Sequence, residues 1–187
     1  MIITINGRPG SGKSTTTQLL AKALHFKTID VGQLRRRAAR QRGMTLHEFN
    51  LWSEKHPNAG DKAFDRALVV AVGRLPNVVV SSRTAFHFFP KAFNVFLDVS
   101  AGVGARRIQA DQQDRSVETG KRTSLQAIQL AAAKRVRNDS RRYRKLYGIN
   151  IFQRKNYAYI LNTTRIPIPQ VVRKVQKAFR TWQKGKR

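Results

Sequence analysis

The stretch from Gly7 to Ser14, GRPGSGKS, follows directly on the short β-branched run MIITIN and leads into KSTTTQLLAKAL. Three glycines in eight residues leave the backbone free to turn its N–H groups inward, and such a loop between a strand and a helix forms an anion cradle at the helix N-terminus. Gly7, Gly12, Lys13 and Ser14 satisfy the spacing G-x-x-x-x-G-K-[ST]. That pattern predicts a nucleotide-phosphate site in which Lys13 reaches the β and γ phosphates and the Ser14 hydroxyl takes Mg²⁺. Gly10, Ser11 and Thr15 complete the expected cradle. The ligands it implies are ATP and Mg²⁺.

The rest of the chain alternates in a way that suits this loop. FKTIDV, NVVVSS, NVFLDVS and YAYILNTT read as further strands, and NVVVSS and NVFLDVS carry the apolar runs expected of strands covered on both faces. Between them, helical spacing appears at Lys13 to His25, Gln33 to Arg42, Thr45 to Lys55, Asp61 to Leu75, Ala101 to Asp111 and Ser124 to Gly148, with a last helix from Pro169. Thr45 and Glu48 have capping-box spacing. Strands alternating with helices predict right-handed crossovers and an open parallel sheet, an α/β domain. At 187 residues, one domain spanning 1–187 is expected.

Charge is the compositional outlier. The chain holds 37 Lys and Arg against 10 Asp and Glu, a formal net charge of +27. Arg35, Arg36, Arg37, Arg40 and Arg42 cluster in RRRAARQR, and no acid follows Asp139. A solvated face normally mixes signs so that neighbouring pairs form. A surplus of this kind draws in polyanions, and RNA is the expected partner. The candidate contacts are Arg35, Arg37, Arg40, Arg141, Arg144, Lys145, Arg173, Lys174, Lys177, Arg180, Lys184, Lys186 and Arg187.

Other chemistries find little footing. Cysteine is absent, which removes disulfides, thiolate metal sites and cysteine nucleophiles. His25, His47, His56 and His87 lack metal-ligand spacing, and Ser81 and Ser82 have no nucleophile elbow around them. FHFFP at Phe86 to Pro90 reads as core or pocket wall before it reads as a stacking platform for a base. The apolar runs are too short to span a bilayer, and no secretory signal pattern opens the chain. The expectation is a soluble monomer in the cytoplasm, with a ribosome-associated pool, an organellar setting being left open.

NGRPGSGKST, VGQLRRRAARQRGMTLHEFN, SSRTAFHFFPKAFNVFLDVS and RVRNDSRRYRKLYGIN together resemble the cytidylate kinase family, in its short archaeal-like form. The resemblance covers nearly the whole chain. It implies the P-loop NTPase fold of the nucleoside monophosphate kinases, three α/β/α layers around a parallel sheet. It further implies a monophosphate-binding helical insert at about residues 33–75, an arginine lid at about 112–142 and a basic C-terminal helix at about 169–187. By the same resemblance Arg36 and Arg83 would hold the monophosphate, CMP or dCMP, while Arg135 and Arg137 would serve catalysis from the lid with Lys13. Arg142 is a weaker candidate on the same helix.

Departures from the family pattern are informative. Ser81 stands at the end of the third strand where relatives usually carry an acid, Gln33 stands after the glycine of VGQL where an acid is common, and Ala158 replaces a frequent Asp. Two functions therefore compete on sequence grounds. One is an RNA-bound protein, ribosomal or ribosome-associated, that keeps the nucleotide site with weakened catalysis. The alternative is an active ATP-dependent kinase of CMP or dCMP.

Overall fold

The computed structural model describes residues 1–116 and 124–185, and among these the side chains of all but 112–116. The chain starts with β1 (Ile2–Gly7), the phosphate loop and α1 (Lys13–Leu24). Next come β2 (Lys27–Asp30), α2 (Val31–Gln41), α3 (Leu46–Lys55), α4 (Asp61–Gly73), β3 (Val78–Ser81) and the one-turn α5 (Ala85–Phe88). It continues through β4 (Phe93–Asp98), α6 (Ala101–Ser116), α7 (Leu125–Tyr147), a 3-10 turn at Arg154–Asn156, β5 (Tyr159–Asn162) and α8 (Ile168–Lys184).

The five strands form one parallel sheet in the order β2-β3-β1-β4-β5. Each strand sends alternate side chains to opposite faces, and both faces are covered. On one side Ile3, Ile5, Val79, Phe93, Val95 and Leu97 pack against Leu20 and Ala21 of α1 and against Val171, Val175 and Phe179 of α8. On the other, Val78 and Val80 meet Val31, Leu68 and Val72 from α2 and α4. Phe96 and Phe86 join Tyr143, Ile151 and Tyr157 in a third cluster on that same side. The uninterrupted apolar runs of β3 and β4 are thus those of strands buried twice over.

Local signals end the helices where chemistry requires. Thr45 and Glu48 form the full capping box of α3, Ser124 caps α7, and Gly148 ends α7 in the left-handed conformation. No helix among the described residues is long and apolar enough to cross a membrane. The carboxyl ends of β1, β2 and β3 open onto one crevice, the usual place for a ligand in an open α/β sheet.

Candidate active site

The phosphate loop is held open by its glycines and by its neighbours. Gly12, the N-cap of α1, has φ 83°, and Gly10 has φ 73°, values that only glycine adopts at little cost. A side chain at Gly10 would also collide with the backbone of Gly104 on α6. No side chain caps α1 and no acid stands in its first turn. The helix N-terminus is therefore left for an outside anion.

Lys13 lies across this loop, donating to the carbonyl oxygens of Gly7 at 2.9 Å and Arg8 at 3.0 Å. Burial, and then the neighbouring charges of Arg83 and Arg135, hold its ammonium well below the ordinary lysine value. Arg83 donates to the Gly7 carbonyl as well. Three cations thus converge on one loop without an equal number of acids, as a site meant for several phosphates requires.

The anchor of this cluster is Asp139 on α7. Its carboxylate takes Arg83 Nε at 3.2 Å, the Arg142 guanidinium at 2.9 Å and Arg135 Nε at 4.0 Å. Arg142 also pairs with Asp61 at 3.6 Å, and Asp61 in turn accepts from Arg35 at 2.8 Å. Asp65 accepts from Thr84 at 2.6 Å and from Tyr147 at 2.7 Å. Burial raises the Asp65 carboxyl, and those two hydrogen bonds partly offset the rise. Burial, then Arg83, pulls Arg135 down to about 10, which leaves it charged at neutral pH.

Lys13, Arg83, Arg135 and Arg142, with Asp61, Asp65 and Asp139, wall a cavity of about 620 Å³ that also includes Gly10, Gly12, Ser14, Thr15 and Arg36. Arg36 lines it with no hydrogen-bond or ion-pair partner among the described residues. Ser81 and Ser82 close the floor at the end of β3. Phe152 backs the cluster, with the guanidinium groups of Arg8 and Arg83 5.6 and 6.0 Å from its ring centre.

The phosphate-loop residues meet here with Arg36, Arg83, Arg135 and Arg142, and the other residues singled out from the sequence do not serve this cavity as expected. Arg137 lies away from the cavity, on the outer face of α7 beside Arg141, Arg144 and Lys145. The reason is helical period: Arg135, Asp139 and Arg142 share a face at i, i+4 and i+7, and Arg137 is turned about 200° from Arg135. Arg35 does not offer itself to RNA. It is buried, bonded to Asp61, Asn50 and Ser53, and its guanidinium stacks over Phe49 and Phe64. Arg141 pairs with Glu54 at 3.3 Å. Arg37, Arg40, Arg144, Lys145, Arg173, Lys174, Lys177, Arg180 and Lys184 are exposed, whereas Lys186 and Arg187 lie outside the described residues. Sequence reasoning missed Asp61, Asp65 and Arg107. Arg107, from α6, binds Thr163 and approaches the carbonyl of Gly10, tying the loop to the end of β5.

A parallel sheet with a phosphate loop at its centre and a wall of arginines over it defines a small P-loop kinase fold. A family model described as an AAA domain matches residues 3–127. The shikimate kinase of Bacteroides thetaiotaomicron superposes with a TM-score of 0.62 at 21% identity, over 96% of this chain and 98% of that one. The cytidylate kinase of Methanosphaera stadtmanae is 30% identical over 179 residues, 96% of this chain and 98% of its own length. That of Pyrococcus abyssi is 34% identical over 166 residues, 88% and 86% of the two chains. The chain belongs to the cytidylate kinase family.

Proposed function

We propose that the protein is an ATP-dependent nucleoside monophosphate kinase that phosphorylates CMP or dCMP. One observation carries this reading: the phosphate loop and Arg36, Arg83 and Arg135 face the same cavity. Phosphoryl transfer asks a protein mainly to align two anions, neutralise them and exclude water. ATP phosphates would take the N–H groups of residues 10 to 15, with Lys13 leaving the loop carbonyls to follow them. Arg36, which has no partner to give up among the described residues, would grip the acceptor phosphate with Arg83, and planar guanidinium groups suit that task. Arg135 would sit between donor and acceptor, where negative charge builds. The Ser14 hydroxyl would help hold Mg²⁺, which when bound would offset phosphate charge, and the uncapped, acid-free start of α1 suits the phosphates themselves. Of the lid expected at about 112–142, residues 117–123 lie outside the described residues, and Arg135 on α7 would supply its described part at the cavity.

The test is transfer from ATP to CMP, dCMP and UMP by protein stripped of nucleic acid in high salt. Turnover of about 1 to 100 s⁻¹ that Lys13→Ala abolishes is expected. Tight ATP binding without transfer to any monophosphate would reject the kinase reading.

A second activity is favoured by α8. Arg173, Lys177, Arg180 and Lys184 are exposed in one row along it, about 16 Å long, with no acid anywhere on the helix. This row, with Arg37, Arg40, Arg144 and Lys145, would bind RNA, the ribosome being the partner it suits. Reversing the four α8 charges should weaken RNA binding and flatten its salt dependence while CMP phosphorylation persists.

A further inference from the structure

Among the described residues five carboxylates line the cavity: Asp30, Asp61, Asp65, Asp111 and Asp139. Their partners separate them. Asp61 faces Arg35 and Arg142, Asp139 faces Arg83 and Arg142, and both oxygens of Asp65 accept hydroxyl hydrogen bonds. Asp111, exposed on α6, is engaged as well. Asp30 differs. Its Oδ1 accepts the Gln33 N–H as the N-cap of α2, at 3.0 Å, but its Oδ2 is buried with no hydrogen-bond partner and the carboxylate has no ion pair among the described residues. A buried carboxylate oxygen without a hydrogen-bond donor is costly to keep, and the Lys13 ammonium feels its charge without pairing with it, so its place beside a phosphate site asks for an explanation.

Sheet register supplies one. Asp30 ends β2 directly opposite Ser81, which ends β3, and β3 pairs in turn with β1, the strand that delivers the loop. In-register residues of parallel strands point to the same face and sit about 5 Å apart. The neighbouring strand thus presents a neutral hydroxyl, and the charge stands one strand over. Among the described residues no group of three acids or histidines could hold a metal alone. Mg²⁺ does not need one, because it keeps several waters and rests on one or two protein oxygens plus phosphates.

We infer that Asp30 is the carboxylate that organises Mg²⁺ or its waters at the nucleotide phosphates, a duty for which the neutral Ser81 hydroxyl is the poorer group. This rests on the nucleotide-site reading above. Asp30 is then a positioning residue, acting through the ion and not on the transferred group.

Isothermal titration of ATP's nonhydrolysable imido analogue, with Mg²⁺ and with EDTA, tests it. Wild-type protein should bind the analogue at least tenfold more tightly with Mg²⁺. Asp30→Asn keeps the cap, since Asn and Asp cap equally well. It should lose most of that gain while metal-free binding is unchanged or tighter, and D30N/S81D should recover the gain. Asp30→Ser, with a cap oxygen retained, carries the same test if Asp30→Asn melts early. A Mg²⁺ gain retained in both Asp30 variants overturns this inference alone. Failure of the wild type to bind the analogue at all would sink the nucleotide site together with it.

Discussion

Lys13 shows how a single residue stores the response of the site. In the free protein its ammonium is desolvated and faces Arg83 and Arg135, so its proton is held weakly relative to the ordinary value of 10.5. Phosphates arriving at the loop reverse that balance and raise its proton affinity. Binding therefore favours the protonated form. Affinity is full below the free-protein value, falls as pH rises through it, and levels off above the higher value of the complex. Between the two, binding takes up a proton, which titration calorimetry in buffers of different ionisation enthalpy will detect and which Lys13→Met should remove. Arg142 makes the opposite kind of demand. It is buried between Asp61 and Asp139, and Arg142→Met leaves part of their charge uncovered. Removing one partner of a buried pair costs about 3 kcal/mol; urea unfolding should show a loss of that size. Arg35→Ala should also destabilise without weakening RNA binding, because its charge is spent on Asp61.

At the level of elements, the loop depends on α6. Gly104 of α6 comes so close to Pro9 that a Cβ there would lie 2.8 Å from the Pro9 carbonyl oxygen and 3.2 Å from Val99. Both neighbours are backbone or packed core, so little can give way. Gly104→Ala should shift the loop and weaken ATP binding tenfold or more, with a smaller loss of stability, as fluorescence titration and thermal melting would report. The sequence made the loop, the five strands and the seven longer helices legible, because each has a local signature: glycine spacing, β-branched runs, 3.6-residue periodicity. Strand order was not legible, since it is a property of pairings between distant segments. The ion-pair wall was only half visible. Arg36, Arg83 and Arg135 stood in recognisable motifs, but Asp61 and Asp65 read as ordinary polar positions on the face of α4. Arg35 was misplaced because a count of charges does not say which side of a helix is buried, and Arg137, assigned by resemblance, because two residues along a helix turn it away from the face that Arg135 presents.

On the scale of the whole molecule, the two sides of the sheet have different tasks. One side, where α2, α4, α7 and α5 gather, carries the ion-pair wall of the cavity; the other is the greasy seat of α1 and α8. The helix α8 belongs to the site as well as to the core, since Ile166, Pro167 and Ile168 line the cavity and Ile168 presses on Gly12. A fragment ending at residue 124 lacks α7, β5 and α8 and should show no cooperative urea transition and no nucleotide binding. Sheet order adds a consequence for the chain as it leaves the ribosome. β1 emerges well before its two neighbours, β3 and β4, which follow more than seventy residues later. Contacts of such long range are slow to close, and the central strand must wait, unpaired and apolar, through much of synthesis. The central strand is thus the most vulnerable part of the nascent domain, and the +27 charge carried by the chain would help keep one waiting copy from another.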